Sequence, residues 1–237
     1  MKTTSIIIIT LIAIMFIVSC TSVKPTTTEI VVLRDVTEKS IAKPNADEIL
    51  SLFDLQNNQW NGSNFSFGNI TDVSYNPINE AKINIQNQWL SNELEREKEI
   101  KNFKNRATKI IENSNKDTIG KRNSSIYLPL VRKLNQLSRS NSQKRVLIIY
   151  SDLMENTKEL SFYNKQTIKI LKTKPESIQT QLEQMQQIQD LKGIEIHFVF
   201  QPVNPESDSD FKIASEFYKT ILQNKGATVT ISANLNI

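Results

Sequence analysis

The sequence predicts an α/β protein: a Rossmann-like, mainly parallel central sheet with helices on both faces and helical elaborations around it. Three observations carry this expectation. The runs 30–34, 146–150 and 194–200 are short, apolar and rich in β-branched residues. The first of them lacks polar alternation, as a strand covered on both faces does. Helix-period segments separate them, and 237 residues with 38% hydrophobic and 23% charged content suit one domain with a proper core.

Taken from the start, Met1-Lys2-Thr3-Thr4-Ser5 brings one positive charge, and Ile6 to Val18 is almost wholly apolar. That run falls short of the roughly 20 residues a spanning helix needs. A charged start, an apolar middle and a small residue before the cut mark residues 1–19 as a secretory signal peptide. Ile17-Val18-Ser19-Cys20 resembles the lipobox of bacterial lipoproteins. The resemblance implies that Cys20 is lipidated, becomes the mature N-terminus and holds the protein to a membrane of the bacterial cell envelope. Residues 20–28 then form a polar tether, and residues 29–237 a single domain. No acidic cluster resembling the surface-export tag of Bacteroidetes-type lipoproteins follows Cys20, so a periplasm-facing location is expected.

Glu29 to Arg34 reads as the first strand. Pro44-Asn45-Ala46-Asp47-Glu48 opens a short helix with acids in its first turn. Between Trp60 and Ile85, the alternation of Phe65, Phe67, Ile70, Val73 and Tyr75 predicts two strands joined by a turn at a sheet edge. From Asn87 to Ser114 a helix is expected, with Trp89, Leu94, Ile100, Phe103, Ala107, Ile110 and Ile111 inward. Its other face, Glu93, Glu95, Arg96, Glu97, Lys98, Glu99 and Lys101, reads as solvated. Ser124-Ser125 opens the next helix, with Tyr127, Leu130, Val131, Leu134 and Leu137 inward. Val146 to Tyr150 is the clearest strand. Helical segments follow over 158–192, broken at Pro175, with Ile178, Leu182, Met185, Ile188 and Leu191 forming a core or docking stripe. Ile194 to Phe200 is a buried strand, Pro202 to Asp210 an acidic loop, Phe211 to Lys225 a helix stopped by Gly226, and Thr228 to Ile231 the last strand.

Composition removes most familiar chemistries. One Cys excludes a disulfide framework and multi-Cys metal sites, and one His excludes a His-rich centre. Five glycines include no dinucleotide fingerprint and no phosphate loop. Loss of residues 1–20 lowers the formal charge from +4 to +3. That small, dispersed excess gives no reason to expect nucleic acid as a partner.

In parallel sheets ligands gather at the carboxyl ends of strands, near the switch point of strand order. The first strand ends in Arg34-Asp35-Val36-Thr37-Glu38-Lys39-Ser40. The strongest ends in Tyr150-Ser151-Asp152-Leu153-Met154-Glu155-Asn156, and Ser124-Ser125 lies in a loop between them. Two carboxylates and several hydroxyls form an all-oxygen set of the kind Mg²⁺ or Ca²⁺ prefers. An Asp at a strand end also serves as a helix cap.

These residues resemble the von Willebrand factor A family. There a first strand ends in Asp-x-Ser-x-Ser, a Thr precedes a middle helix, and an Asp-Gly follows the fourth strand. The resemblance implies that Asp35, Thr37, Ser124 (or Ser125) and Asp152 hold a divalent ion, with an acidic residue of a protein partner completing the shell. The second hydroxyl position of the motif is occupied by Lys39, with Ser40 one residue later, and Leu153 stands where many members have Gly.

Other candidates read as structural. His197, in mid-strand, is expected to pack against the sheet rather than act as a base. Ser151 lacks a nucleophile elbow. Glu155 and Asn156 suit a cap on the helix that follows them, and Trp60 and Trp89 suit packing. The leading expectation is therefore a membrane-tethered, non-catalytic protein-binding lipoprotein. Its rivals are a Mg²⁺-dependent envelope hydrolase or phosphotransferase using Asp35 and Asp152, and a structural lipoprotein that assembles through the helices at 87–114 and 176–192.

Overall fold

A computed structural model describes residues 24–37, 41–71, 77–116 and 123–235. In chain order the elements are β1 (Thr27–Asp35), α1 (Ala46–Ser51), β2 (Gly62–Ile70), β3 (Ile78–Ile83), α2 (Glu93–Ser114) and α3 (Tyr127–Ser138). They continue with β4 (Lys144–Tyr150), α4 (Lys165–Thr173), α5 (Pro175–Met185), β5 (Ile194–Val199), α6 (Pro205–Asn224) and β6 (Thr228–Ser232). The six strands form one sheet in the order β3-β2-β1-β4-β5-β6. Only β3 runs antiparallel, at the edge beside β2.

The centre of the sheet is β1, paired along its length with β2 (Thr27↔Gly62 to Asp35↔Ile70) and with β4 (Thr28↔Lys144 to Arg34↔Tyr150). Ile30, Val31, Val32 and Leu33 are all buried, which is why this strand shows no alternation. Strand side chains nevertheless point to alternate faces. Ile30, Val32 and Arg34 share a face with Phe65 and Phe67. Phe53, just after α1, packs edge-on against Phe65 and against Phe103 of α2, with centroids 6.4 and 5.2 Å away. Arg34 Nη1 donates to the Ser114 carbonyl at the end of α2, 2.9 Å away. So α1 and α2 cover this face. The chain progresses β1→β2 in one direction and β4→β5→β6 in the other, and right-handed crossovers then put α4, α5 and α6 on the opposite face. There Phe162 packs on Phe217 and Tyr218 of α6, at 6.0 and 6.2 Å. The expected α/β sheet with helices on both faces is what the chain forms.

Four helices start with an Asn whose side chain accepts backbone N–H bonds: Asn45, Asn92, Asn164 and Asn204. This satisfies donors that a helix start otherwise leaves open. At the other end of α6, Gly226 has φ +94°, the left-handed turn that ends a helix with least strain.

Several boundaries differ from the sequence reading. The strand expected from Glu29 begins at Thr27, because Gly62 and Lys144 give it partners that far back. The helix expected from Asn87 begins only at Glu93, since Asn92 caps it. Trp89 and Leu94 are exposed rather than inward. Arg96, placed on the solvated face, is wholly buried. Its guanidinium donates to the carbonyls of Gln59 (2.6 Å), Asn84 (3.0 Å) and Asn61 (2.5 Å) and to Glu99 Oε2 (3.0 Å). The stripe over 176–192 stops being helical at Met185, which is exposed. Ile188 and Leu191 reach the core from an irregular segment. The acidic loop at 202–210 is instead the start of α6, where Pro205 occupies the first turn and Glu206 and Asp208 face the positive helix end. His197 does pack in the sheet, between Ile148 and Thr230, and burial lowers its pKa, keeping it neutral.

Arg96→Leu takes the guanidinium donors away from these three carbonyls and puts an apolar side chain beside them. The expected loss is on the order of 3 kcal/mol in urea denaturation. A loss under about 1 kcal/mol, the size of a surface change, would contradict that role.

Candidate functional site

The strand order reverses between β1 and β4: from β1 the chain winds toward β2 and β3, then crosses to β4 and winds the other way. Their carboxyl ends therefore flank the crevice of the sheet. Asp35 closes β1 there and is 1% exposed. Its Oδ1 accepts from the Thr37 backbone N–H at 2.9 Å and from Thr37 Oγ1 at 2.6 Å. Its Oδ2 accepts from Ser124 Oγ at 3.0 Å and, at a longer 3.4 Å, from Ser151 Oγ.

Each hydroxyl arrives by a different local device. Thr37 is brought back by a short turn, just after the Val36 N–H bond to the Ile70 carbonyl. Ser124 is fixed by a two-bond bridge to Asn156 (3.0 and 2.8 Å), and the Ser125 N–H bonds to the Thr71 carbonyl. Ser151 extends the β4 ladder through its N–H bond to the Val199 carbonyl. Because Arg34 pairs with Tyr150, the next position on each strand sets Ser151 beside Asp35.

Asp152 stands at the same rim, 7% exposed. Its Oδ1 accepts from the Met154 N–H at 3.0 Å and its Oδ2 from the Tyr163 hydroxyl at 2.9 Å, and half of the Tyr163 side chain faces solvent. Leu153 follows with φ +61°, in the left-handed region that bulky residues avoid. Two contacts hold it there: its N–H donates to Ser151 Oγ at 2.9 Å, and its side chain is wholly buried.

Glu155 is the group the sequence reading underrated. It does not cap the helix after it. Its Oε2 accepts from the N–H groups of Ile126 (2.9 Å) and Tyr127 (2.8 Å), at the start of α3. That helix has no side-chain cap of its own. Burial raises the Glu155 pKa from 4.5 to about 7, outweighing the two backbone bonds that lower it, and the charge of Asp35 raises it further. Tyr218, fully buried, has its phenol raised by burial first and then by the charge of Glu155.

Asp35, Thr37 and Ser124 are thus gathered as a cluster, and Ser151 joins them. Asp152 shares the rim through the Ser151-Asp152 step, while Ser125 contributes a backbone bond. Ser40, Lys39 and Cys20 lie outside the described residues. Ser151 was legible in the two-residue period of β4. Glu155 was not, because its partners lie 28 and 29 residues earlier in the chain.

Chemically the cluster is all oxygen. A hydroxyl has one proton and two lone pairs. Thr37 and Ser124 each spend the proton on Asp35, so their lone pairs remain for a hard cation. Among the described residues no group of three or more His, Cys, Asp or Glu converges as a metal set. Any cation held here depends on hydroxyls with the carboxylates of Asp35 and Asp152. Comparison of the sequence with protein-family models and with curated proteins finds no match.

Two measurements test this geometry. At a left-handed position Gly escapes a side-chain penalty of about 1 kcal/mol, so Leu153→Gly should unfold at higher urea than Leu153→Ala, the reverse of the usual order. Both should be less stable than the parent, since each empties a buried Leu site. Between pH 4.5 and 7 the folded state holds a proton on Glu155 that the unfolded state has released. Its stabilising contribution is complete below about pH 4.5 and is lost as pH rises through 7, on the order of 3 kcal/mol in all. Glu155→Gln should remove that part of the pH dependence; an unchanged slope would show that Glu155 ionises normally.

Proposed function

We propose that this chain is a lipid-anchored protein of the bacterial cell envelope whose von Willebrand factor A-like rim binds a protein partner through a divalent cation, without catalysis. One observation carries the reading. Two hydroxyls, Thr37 beside Asp35 and Ser124 from 89 residues further along the chain, both donate to the Asp35 carboxylate at the sheet switch point. In that arrangement Asp35 also fixes the hydroxyl protons, and Asp35, Thr37, Ser124 and Asp152 are the groups that would hold Mg²⁺ or Ca²⁺. The ion's contribution is to attract a carboxylate of the partner. The scarcity of protein carboxylates makes that outside ligand necessary and binding of the ion alone weak.

Two further features support the family resemblance. The strand order carries Asp35 and Asp152 to adjacent central strands. Leu153 adopts the left-handed backbone at the position where many family members have Gly. The anchoring part rests on the Cys20 motif. Among the described residues, no helix is long and apolar enough to cross a membrane.

Calorimetric titration of Mg²⁺, Ca²⁺ and Mn²⁺ into residues 21–237 tests the rim. We expect one saturable site with Kd of about 10⁻⁴–10⁻³ M, lost in Asp152→Ala while the fold is kept. No heat at ten times that concentration with a folded protein would sink the cation. Turnover of a phosphate or acyl ester that vanishes in Asp152→Ala would overturn the non-catalytic reading in favour of an enzyme.

A further inference from the structure

At the end of the sheet opposite the rim lies an apolar tip that is unpartnered among the described residues. Trp89, Leu90 and Leu94 are 83%, 87% and 69% exposed, and Ile85 beside them is 45% exposed. Three large apolar side chains at this exposure fall within six residues of the chain, closer together than singly scattered surface residues. We propose that this tip lies in the membrane interface of the bilayer that carries the lipid anchor, and so turns the Asp35 rim away from the membrane.

The placement follows from where the chain enters the fold. Gly62 N–H bonds to the Thr26 carbonyl, Thr26 N–H to Asn61 Oδ1, and Gln86 N–H to the Trp60 carbonyl. These bonds join the chain entrance, the start of β2 and the segment after β3 at one pole. Lys24 and Pro25 line a cleft of about 820 Å³ together with Trp60, Ile85, Asn87 and Trp89. Only four residue steps separate Cys20 from Lys24, a reach of at most about 14 Å. A lipid on Cys20 therefore keeps this pole against the bilayer, whatever path the tether takes. The rim stands at the other end of β1, whose length is about 27 Å.

The chemistry of the pole matches an interface. Trp concentrates where hydrocarbon meets headgroups, and a few Leu side chains there add buried apolar area to that of a lipid anchor. Around the tip the side chains are mostly uncharged amides: Asn57, Asn58, Gln86 and Gln88 line the cleft. The charges are mixed. Lys24 lines the cleft, while Glu93, which accepts from Gln59 Nε2, and Glu95 are carboxylates in the first turn of α2. Attraction is thus apolar rather than electrostatic, and a zwitterionic bilayer suffices. Buried Arg96 also ties Gln59, Asn61 and Asn84 together beside the cleft.

This inference rests on the tether in the proposed function, so its test reads the two separately. The full chain is purified from membranes as a Trp60→Phe variant, leaving Trp89 as its only tryptophan, and reconstituted into phosphatidylcholine vesicles with plain or brominated acyl chains. The mass of the Cys20 peptide reports the lipid independently of fluorescence. We expect Trp89 emission to be blue-shifted, quenched by the brominated chains, and unaltered by high salt. Adding Leu90→Ser and Leu94→Ser, both at exposed positions, should reduce the quenching. A lipidated chain whose Trp89 emits as in water, unquenched, overturns the inference and leaves the tether standing. A blue shift without bromine quenching also overturns it, since Trp89 is then covered by protein. If Cys20 carries no lipid the tether fails, and quenching on added vesicles still decides the tip. Should Trp60→Phe fail to fold, the difference between the two-tryptophan chain and its Trp89→Phe variant gives the same reading.

Discussion

The rim depends on one buried carboxylate. Glu155 takes the place of a cap at the start of α3, and in doing so fixes the loop that delivers Ser124 to Asp35. A helix start presents open N–H groups and partial positive charge, which suits a carboxylate. Burial opposes it and prevails, so the group sits near neutrality with a pKa of about 7. The bonds to Ile126 and Tyr127 both use Oε2, so the acid form can keep them with its proton on Oε1. The cap thus survives both protonation states, and the Ser124–Asn156 bridge adds a second fastening a single residue from Glu155.

A second constraint is the left-handed turn at Leu153. A leucine there is locally unfavourable, and its buried side chain and the Ser151 hydroxyl compensate. Holding a residue in such a conformation requires surroundings that over-determine it, a condition found mainly at functional sites. Here the turn carries Asp152 onto the rim, where Tyr163 orients its carboxylate. The two fastenings converge on the same cluster and hold its oxygens through buried hydrogen bonds.

The domain is polar in the geometric sense. Parallel strands put every carboxyl end on one side, so the oxygen cluster gathers at one pole and the chain entrance at the other. The chain entrance and the oxygen cluster at the switch point thus face opposite directions without any further device. The edge strand β3 alone runs the other way, and that reversal is what returns the chain to the entrance pole and deposits Trp89 there.

Much of this architecture was legible in the residues. The apolar runs of β1 and β4 had no alternation because both faces are covered, and all five residues of the expected α3 stripe (Tyr127, Leu130, Val131, Leu134, Leu137) are buried, with Pro129 and Asn135 beside them. The oxygen-bearing strand ends were likewise visible, since Asp35 directly follows the first run and Ser151-Asp152 follows the second. What local pattern could not determine was decided by partners distant in the chain. Arg96 looked solvated because a charge in a charged run reads as surface, whereas three carbonyls from other segments bury it. Trp89 looked buried because aromatic residues fill cores, yet the cap at Asn92 starts the helix after it. Glu155 looked like a cap for its own neighbours and serves a helix that precedes it. Periodicity reports only whether a face is covered. Which group covers it, and which donors it satisfies, is settled when the sheet brings remote segments within hydrogen-bonding distance.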